Sequence, residues 1–147
     1  MQRNDMKINE SIGFLLNSSA RLMKRKLEKN LKKYNITTSQ WAVMQLLYQR
    51  KILTQAEIAE ELNSDRATCG TVLDKLNSKG FITKQVDEKD RRAYRVSLTD
   101  QGMDLVSKLA DLAQQCTEAA LISFTKEDWE KLQEYLKQII INLMEEA

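Results

Sequence analysis

The sequence contains no histidine. That absence removes the commonest general base, the Ser–His and Cys–His nucleophile pairs, and most catalytic zinc sites. It has only two cysteines, Cys69 and Cys116, far apart and without C-x-x-C spacing, so neither a disulfide framework nor a metal site is implied. None of the four glycines falls in a G-x-G-x-x-G or G-x-x-x-x-G-K phosphate cradle. With so little catalytic vocabulary, a binding protein is expected rather than an enzyme, and no cofactor or metal. There is no proline at all, which favours long uninterrupted helices. No apolar run approaches the ~20 residues of a membrane helix. The first ten residues, MQRNDMKINE, carry no apolar segment of a secretory signal, so a cytoplasmic protein is expected.

What is present is unevenly charged. Residues 1–49 hold nine Lys and Arg against three Asp and Glu, net +6. Residues 50–100 are near balance at +1, and residues 101–147 are acidic at −5. A basic front and an acidic rear suit a polyanion on one side only. Met1 to Asp5 reads as loose. From Lys7 to Lys33, Ile8, Ile12, Leu15, Leu16, Leu22, Met23, Leu27 and Leu31 recur in steps of three and four, the signature of an amphipathic helix. Its second half, RLMKRKLEKNLKK, is strongly basic.

Thr37-x-x-Gln40 and Thr54-x-x-Glu57 are capping boxes, each opening a helix. The first helix is expected to bury Trp41, Val43 or Met44, Leu46 and Leu47. The second is expected to turn Ala56, Ile58, Ala59 and Leu62 inward. Between them, Lys51 to Leu53 can pair as a short third strand. After a turn at Asn63 and Ser64, the next helix runs from Asp65 to Lys79, with Cys69, Val72, Leu73 and Leu76 buried. Arg66, Ala67, Thr68, Gly70, Thr71, Asp74 and Lys75 are left outward. Two helices joined by a tight turn, the second with small and polar residues outside, form a helix-turn-helix. Gly70 has two readings: it lets the helix backbone approach base edges, or it packs against another helix.

Gly80 ends that helix. Phe81 to Val86 and Ala93 to Leu98 alternate in polarity and read as a hairpin. Ile82, Lys84 and Val86 share one face, and Tyr94, Val96 and Leu98 turn inward. The loop Asp87 to Arg92 carries Lys89, Arg91 and Arg92 among three acids. Such a helix can lie in a major groove while the ribbon reaches over the adjacent backbone. Thr99 caps a further helix to about Ser123. Thr125-x-x-Asp128 opens the last, whose stripe is Trp129, Leu132, Leu136, Ile139, Ile140 and Leu143. These stripes exceed what a module of ~60 residues covers, and the simplest partner is a second copy of the chain. An intrachain three-helix bundle with the first helix is the alternative.

The segment Asp90-Arg91-Arg92-Ala93-Tyr94-Arg95-Val96-Ser97-Leu98-Thr99-Asp100-Gln101-Gly102 resembles the wing motif of the MarR family of bacterial transcriptional regulators, D-x-R-(A/S)-x-x-(V/L)-x-L-T-x-x-G. Supporting matches are Ile36-Thr37 with Gln40-Trp41-Ala42-Val43, Gln55-Ala56-Glu57-Ile58-Ala59, Asp65-Arg66-Ala67-Thr68, Leu73-Asp74-Lys75-Leu76 and Lys79-Gly80-Phe81. The likeness spans nearly the whole chain. It implies a mainly α fold with a small β-hairpin wing (α+β). Residues 1–147 would be one such domain, with a winged helix-turn-helix lobe over 37–99 and dimerisation helices over 7–33 and 100–146.

The resemblance further implies a homodimer that binds double-stranded DNA at a pseudo-palindromic operator, most simply as a repressor. By position, Asp65, Arg66, Ala67, Thr68, Gly70, Thr71 and Lys75 would present the recognition helix to the major groove. Lys89, Asp90, Arg91, Arg92 and Arg95 would form the wing, with Arg92 entering the minor groove and Asp90 orienting it. A narrow minor groove is electronegative and suits an arginine. Cys69 departs from the usual aliphatic residue, and Gly70-Thr71 from the common Ser/Thr followed by Arg or Gly. Many relatives respond to small aromatic ligands, and Met23, Trp41, Met44 and Tyr48 are candidates to line such a crevice, with plain core as their other reading. Relatives that sense oxidants carry a Cys near the start of the first helix, where this chain has none. A winged-helix module for protein–protein contact is the competing function, but it has no need of the basic wing tip.

Overall fold

The computed structural model describes residues 7–145. The segment Met1–Asp5, read as loose, lies outside them. The first amphipathic segment is broken at its start. Ile8–Glu10 forms a single 3-10 turn, Ser11 is extended, and the helix proper, α1, runs Ile12–Leu31. A second 3-10 turn, Lys32–Tyr34, follows, and Asn35 stops it in the left-handed region (φ 57°), which Asn tolerates.

All five of the helices that follow begin at a side-chain cap. Thr37 accepts from the N–H of Gln40 while the Gln40 carboxamide accepts from that of Thr37, both at 3.1 Å, and α2 follows over Thr38–Arg50. Thr54 and Glu57 do the same for α3, Gln55–Glu61. Asp65 caps α4, Arg66–Ser78, and Thr99 caps α5, Asp100–Ala120. Before α6, Lys126–Glu145, the N–H of Asp128 donates to the Thr125 hydroxyl and that of Thr125 to the Asp128 carboxylate. Each cap satisfies amide donors that a helix start otherwise leaves orphaned. In the α3–α4 turn, Asn63 takes φ 52° and the Ser64 N–H donates to the Ala59 carbonyl at 2.8 Å, which holds the two helices close.

The sheet has three antiparallel strands in the order β1-β3-β2. The expected third strand is β1, Leu53–Thr54, which shares only Leu53 with the span Lys51 to Leu53 read from the sequence. It pairs with β3, Tyr94–Leu98, through Leu53↔Val96 and Thr54↔Arg95. The other edge is β2, Ile82–Val86, in register from Ile82↔Leu98 to Val86↔Tyr94. The core lies where α2, α3 and α4 close over the sheet and meet the end of α1 and the middle of α5. Leu31, Met44, Leu47, Ile58, Leu73, Leu76, Ile82, Val96 and Leu109 are its deepest side chains.

Several expected core positions differ. Val43 and Met44 are both buried, whereas Leu46, Leu62 and Val72 are only partly so. Ala56 is exposed, because the seven-residue α3 can turn only a narrow face, Ile58 and Ala59, inward. Val86 and Tyr94 are exposed too, because this pair closes the hairpin beyond the edge of the lobe. α6 buries no side chain against the rest of the chain. Ile140 and Leu143 are 56% and 62% exposed, and Ile12 and Leu22 of α1 are 65% and 53% exposed. The intrachain three-helix bundle is therefore not formed, and the apolar stripes of α1 and α6 stay uncovered.

The tightest backbone contact joins the hairpin to α5. The Thr99 N–H donates to the Phe81 carbonyl at 3.0 Å, and the Thr99 hydroxyl donates to the Gly80 carbonyl at 2.6 Å. A Cβ on Gly102 would stand 2.2 Å from the Phe81 carbonyl oxygen, so only glycine fits. Gly102→Ala should destabilise the protein by about 1–3 kcal/mol or more, since backbone rather than a side-chain tip must yield. Urea unfolding checks this, and an unchanged midpoint would contradict it.

Candidate nucleic-acid interface

The outward surface of α4 is built from its N-cap onward. Asp65 accepts the Thr68 N–H at 2.7 Å and the Thr68 hydroxyl at 2.8 Å. These two donors hold the Asp65 carboxyl below its ordinary pKa. One turn on, the Thr71 hydroxyl donates to the Ala67 carbonyl at 3.1 Å. Asp74 is tied to Lys84 of β2. Asp65, Thr68, Thr71 and Asp74 thus have internal partners. Arg66 and Lys75 are exposed and pair with no acid among the described residues. Ala67 is exposed and small, so the helix backbone stays approachable there.

The hairpin tip closes on itself. The Asp87 N–H donates to the Ala93 carbonyl and the Ala93 N–H to that of Asp90, both at 2.9 Å. Asp87 accepts the Lys89 N–H at 3.1 Å. Asp90 accepts the Arg92 N–H at 3.0 Å, and the same oxygen lies 3.5 Å from Arg92 Nε. The Arg92 side chain is nonetheless 95% exposed. Lys89, Arg91 and Arg95 are exposed around it. A rigid turn holding an outstretched guanidinium, with further cations beside it, is a surface made for a polyanion. β2 leaves directly from the end of α4 and stays against it, with Lys84 paired to Asp74 of that helix.

The MarR family profile matches residues 36–94, which span α2 through the first residue of β3. An organic hydroperoxide resistance transcriptional regulator of Bacillus subtilis is 31% identical over 140 residues, covering 95% of this chain and 91% of that one. The chain belongs to the MarR family. Among solved structures, a MarR transcriptional regulator from Methanosarcina mazei Go1 superposes with a TM-score of 0.86 at 26% identity, covering 92% of this chain and 98% of that one. A mutant MarR from E. coli, complexed with operator DNA, gives a TM-score of 0.81 at 25% identity, covering 92% and 99%.

In this MarR chain the four crevice candidates divide between core and surface. Trp41 and Met44 are 3% and 0% exposed and belong to the core, because α2 turns both toward the lobe interior. Met23 and Tyr48 lie on the surface. A cavity of about 160 Å³ beside α4 has other walls, among them Ser39, Ala42, Leu62, Thr68 and Cys69. Burial pushes the Cys69 thiol up, which keeps it protonated and unreactive, and Lys84 opposes this only in part. Cys116 is buried and accepts from the Asn30 carboxamide at 3.1 Å.

Two long-range contacts carry no sequence pattern. Gln40, 3% exposed, accepts at Oε1 from Lys79 Nζ at 3.2 Å, and Lys79 also reaches the Asn35 carbonyl. This ties the end of the recognition helix to the α1–α2 junction. Gly70 faces Gln55 of α3, so packing against a neighbouring helix is the reading the structure supports. The pairs are 39 and 15 residues apart, and no local signal marks them.

The lowered Asp65 carboxyl predicts an acid dependence. Its folded pKa lies below the unfolded one, so its contribution to stability is complete above the ordinary carboxylate range and lost as pH falls through the folded value. The stability advantage of the protein over Asp65→Ala should therefore be constant near neutrality and shrink below about pH 4. Urea titrations of both proteins across pH would show this, and an advantage independent of pH would contradict it.

Proposed function

We propose that this MarR-family chain is a homodimeric transcriptional regulator that binds double-stranded DNA sequence-specifically, a repressor acting at a pseudo-palindromic operator. It acts by binding and not by catalysis, in the cytoplasm. The observation that carries the reading is the cationic hairpin tip, with Arg92 held at its base by Asp90 and otherwise free, beside a helix whose unpaired outward cations are Arg66 and Lys75. Phosphate contacts from such cations supply affinity, while groove contacts supply sequence preference. In this reading Arg66 to Thr71 face the major groove and Arg92 enters the minor groove. A protein interface gives no reason for a fully solvated guanidinium at a rigid tip.

The residues divide accordingly. The lobe over 37–99 reads DNA, and the helices over 7–33 and 100–146 hold two copies together. The uncovered apolar stripes of α1 and α6 support that pairing, since large exposed apolar faces mark association surfaces. Two lobes related by a two-fold axis should read half-sites one helical turn apart, ~10 bp. Release by a small aromatic ligand follows from the family likeness, and of the candidate wall residues Met23 and Tyr48 are the ones exposed to receive it.

Two outcomes follow. Arg92→Ala should weaken binding to a selected operator by about 1–3 kcal/mol at fixed salt. Fluorescence anisotropy measures it, and unchanged affinity would remove the role given to Arg92. Ile140→Glu places a charge in the uncovered stripe of α6, far from the lobe core. It should convert a dimer into a monomer in sedimentation and abolish tight operator binding. A dimer that persists with full affinity would show that α6 is not the interface.

A further inference from the structure

The recognition helix has fewer free polar groups than its sequence suggests. Asp65 and Thr68 are joined in the cap, Thr71 donates back to Ala67, and Asp74 is held by Lys84. That leaves two cations, Arg66 and Lys75, with Asn77 at the far end of the helix, and cations suit phosphates or guanine. The one free carboxamide on α4 is that of Asn77 in its last turn, and the turns from Arg66 to Asp74 carry none that matches adenine.

A carboxamide lies alongside. Gly70 sits on the shoulder of α4, half-buried between the inward Cys69 and the outward Thr71. A Cβ there would stand 3.2 Å from Gln55 Nε2, so the absent side chain is the space that the Gln55 carboxamide occupies. The Cys69 thiol reaches the Gln55 backbone carbonyl at 4.0 Å, which keeps the first residue of α3 against this turn. Gln55 is half-buried, and among the described residues its carboxamide has no hydrogen-bonding partner. Thr54 just before it pairs with Arg95 of β3, so Gln55 stands between the wing root and the recognition helix.

We infer that Gln55, held in the notch at Gly70, is a specificity-determining residue that reads an adenine in the major groove from outside the recognition helix. A carboxamide can donate to adenine N7 and accept from its N6 amino group at once. Gly70 serves by leaving room, so the two residues act as one unit. The inference rests on the DNA-binding reading above.

Selection of bound DNA from a random pool, with the full-length protein and three variants, tests both. The wild type should show adenine at one position of each half-site that depends on Gln55. In Gln55→Ala the preference there should fall by about 5- to 100-fold, with other positions unchanged. Gln55→Glu, which can only accept, should shift that position toward cytosine, whose N4 amino group donates. Gly70→Ala favours the helix, so a loss of preference at the same position would come from displacing Gln55 and not from unfolding. Variants that keep the wild-type profile would overturn the inference, as would a loss spread evenly over all sequences, which is a backbone contact. A wild type that selects no sequence would instead overturn the DNA-binding reading itself.

Discussion

The approach of the α5 backbone to the start of β2 sets the geometry of the whole reading surface. Thr99 and Gly102 bring the first turn of α5 against Gly80 and Phe81 at the end of the recognition helix. Four segments meet there: the last turn of α4, the first residue of the hairpin, its last residue and the start of a long outer helix. Backbone-to-backbone contact leaves no side chain to absorb movement, so these four turn as a unit. Gly80, at φ 81°, supplies the left-handed step that aims β2 back along the helix it follows. The Leu98-Thr99-x-x-Gly102 part of the motif is thus a structural joint, while Asp90 to Arg92 form its exposed tip.

That joint gives the outer helices their meaning. α5 carries Val106 and Leu109 into the core and continues beyond the lobe. α6 turns back and covers none of its own apolar stripe. In the proposed dimer, a second copy buries these stripes and the distance between the two α4 helices is set through α5. Lys79 adds a second tie at the same end of α4, reaching Gln40 and Asn35 where α1 gives way to α2. The recognition helix is consequently held from both the N-terminal and the C-terminal outer helices.

The helix starts were the most legible features. Thr37 with Gln40, Thr54 with Glu57, Asp65, Thr99, and Thr125 with Asp128 all cap where expected, because a cap joins groups within one turn. The hairpin was legible for the same reason: alternation and a short polar loop are local. Burial at the margins was not. Val86 and Tyr94 alternate like core residues, yet they leave the lobe with the wing tip. Ser11 interrupts an apolar periodicity that contains no proline. Trp41 and Met44, attractive as crevice walls, are core, because composition cannot distinguish the inside of a lobe from the lining of a pocket.

The sequence by itself determined the class of fold, the order of its elements, the family and the cationic character of the wing. Each of these is carried by residues near one another in the chain, through hydrogen bonds and periodicities that span a few positions. Only the tertiary structure decided which polar groups of the recognition helix are already engaged and which remain free. Asp74 is held by a residue of another strand, Lys79 by a glutamine and a backbone carbonyl far earlier in the chain, and Gly70 is filled by Gln55. Those partners are distant in sequence, and they meet because core packing brings α2, α3 and β2 against α4.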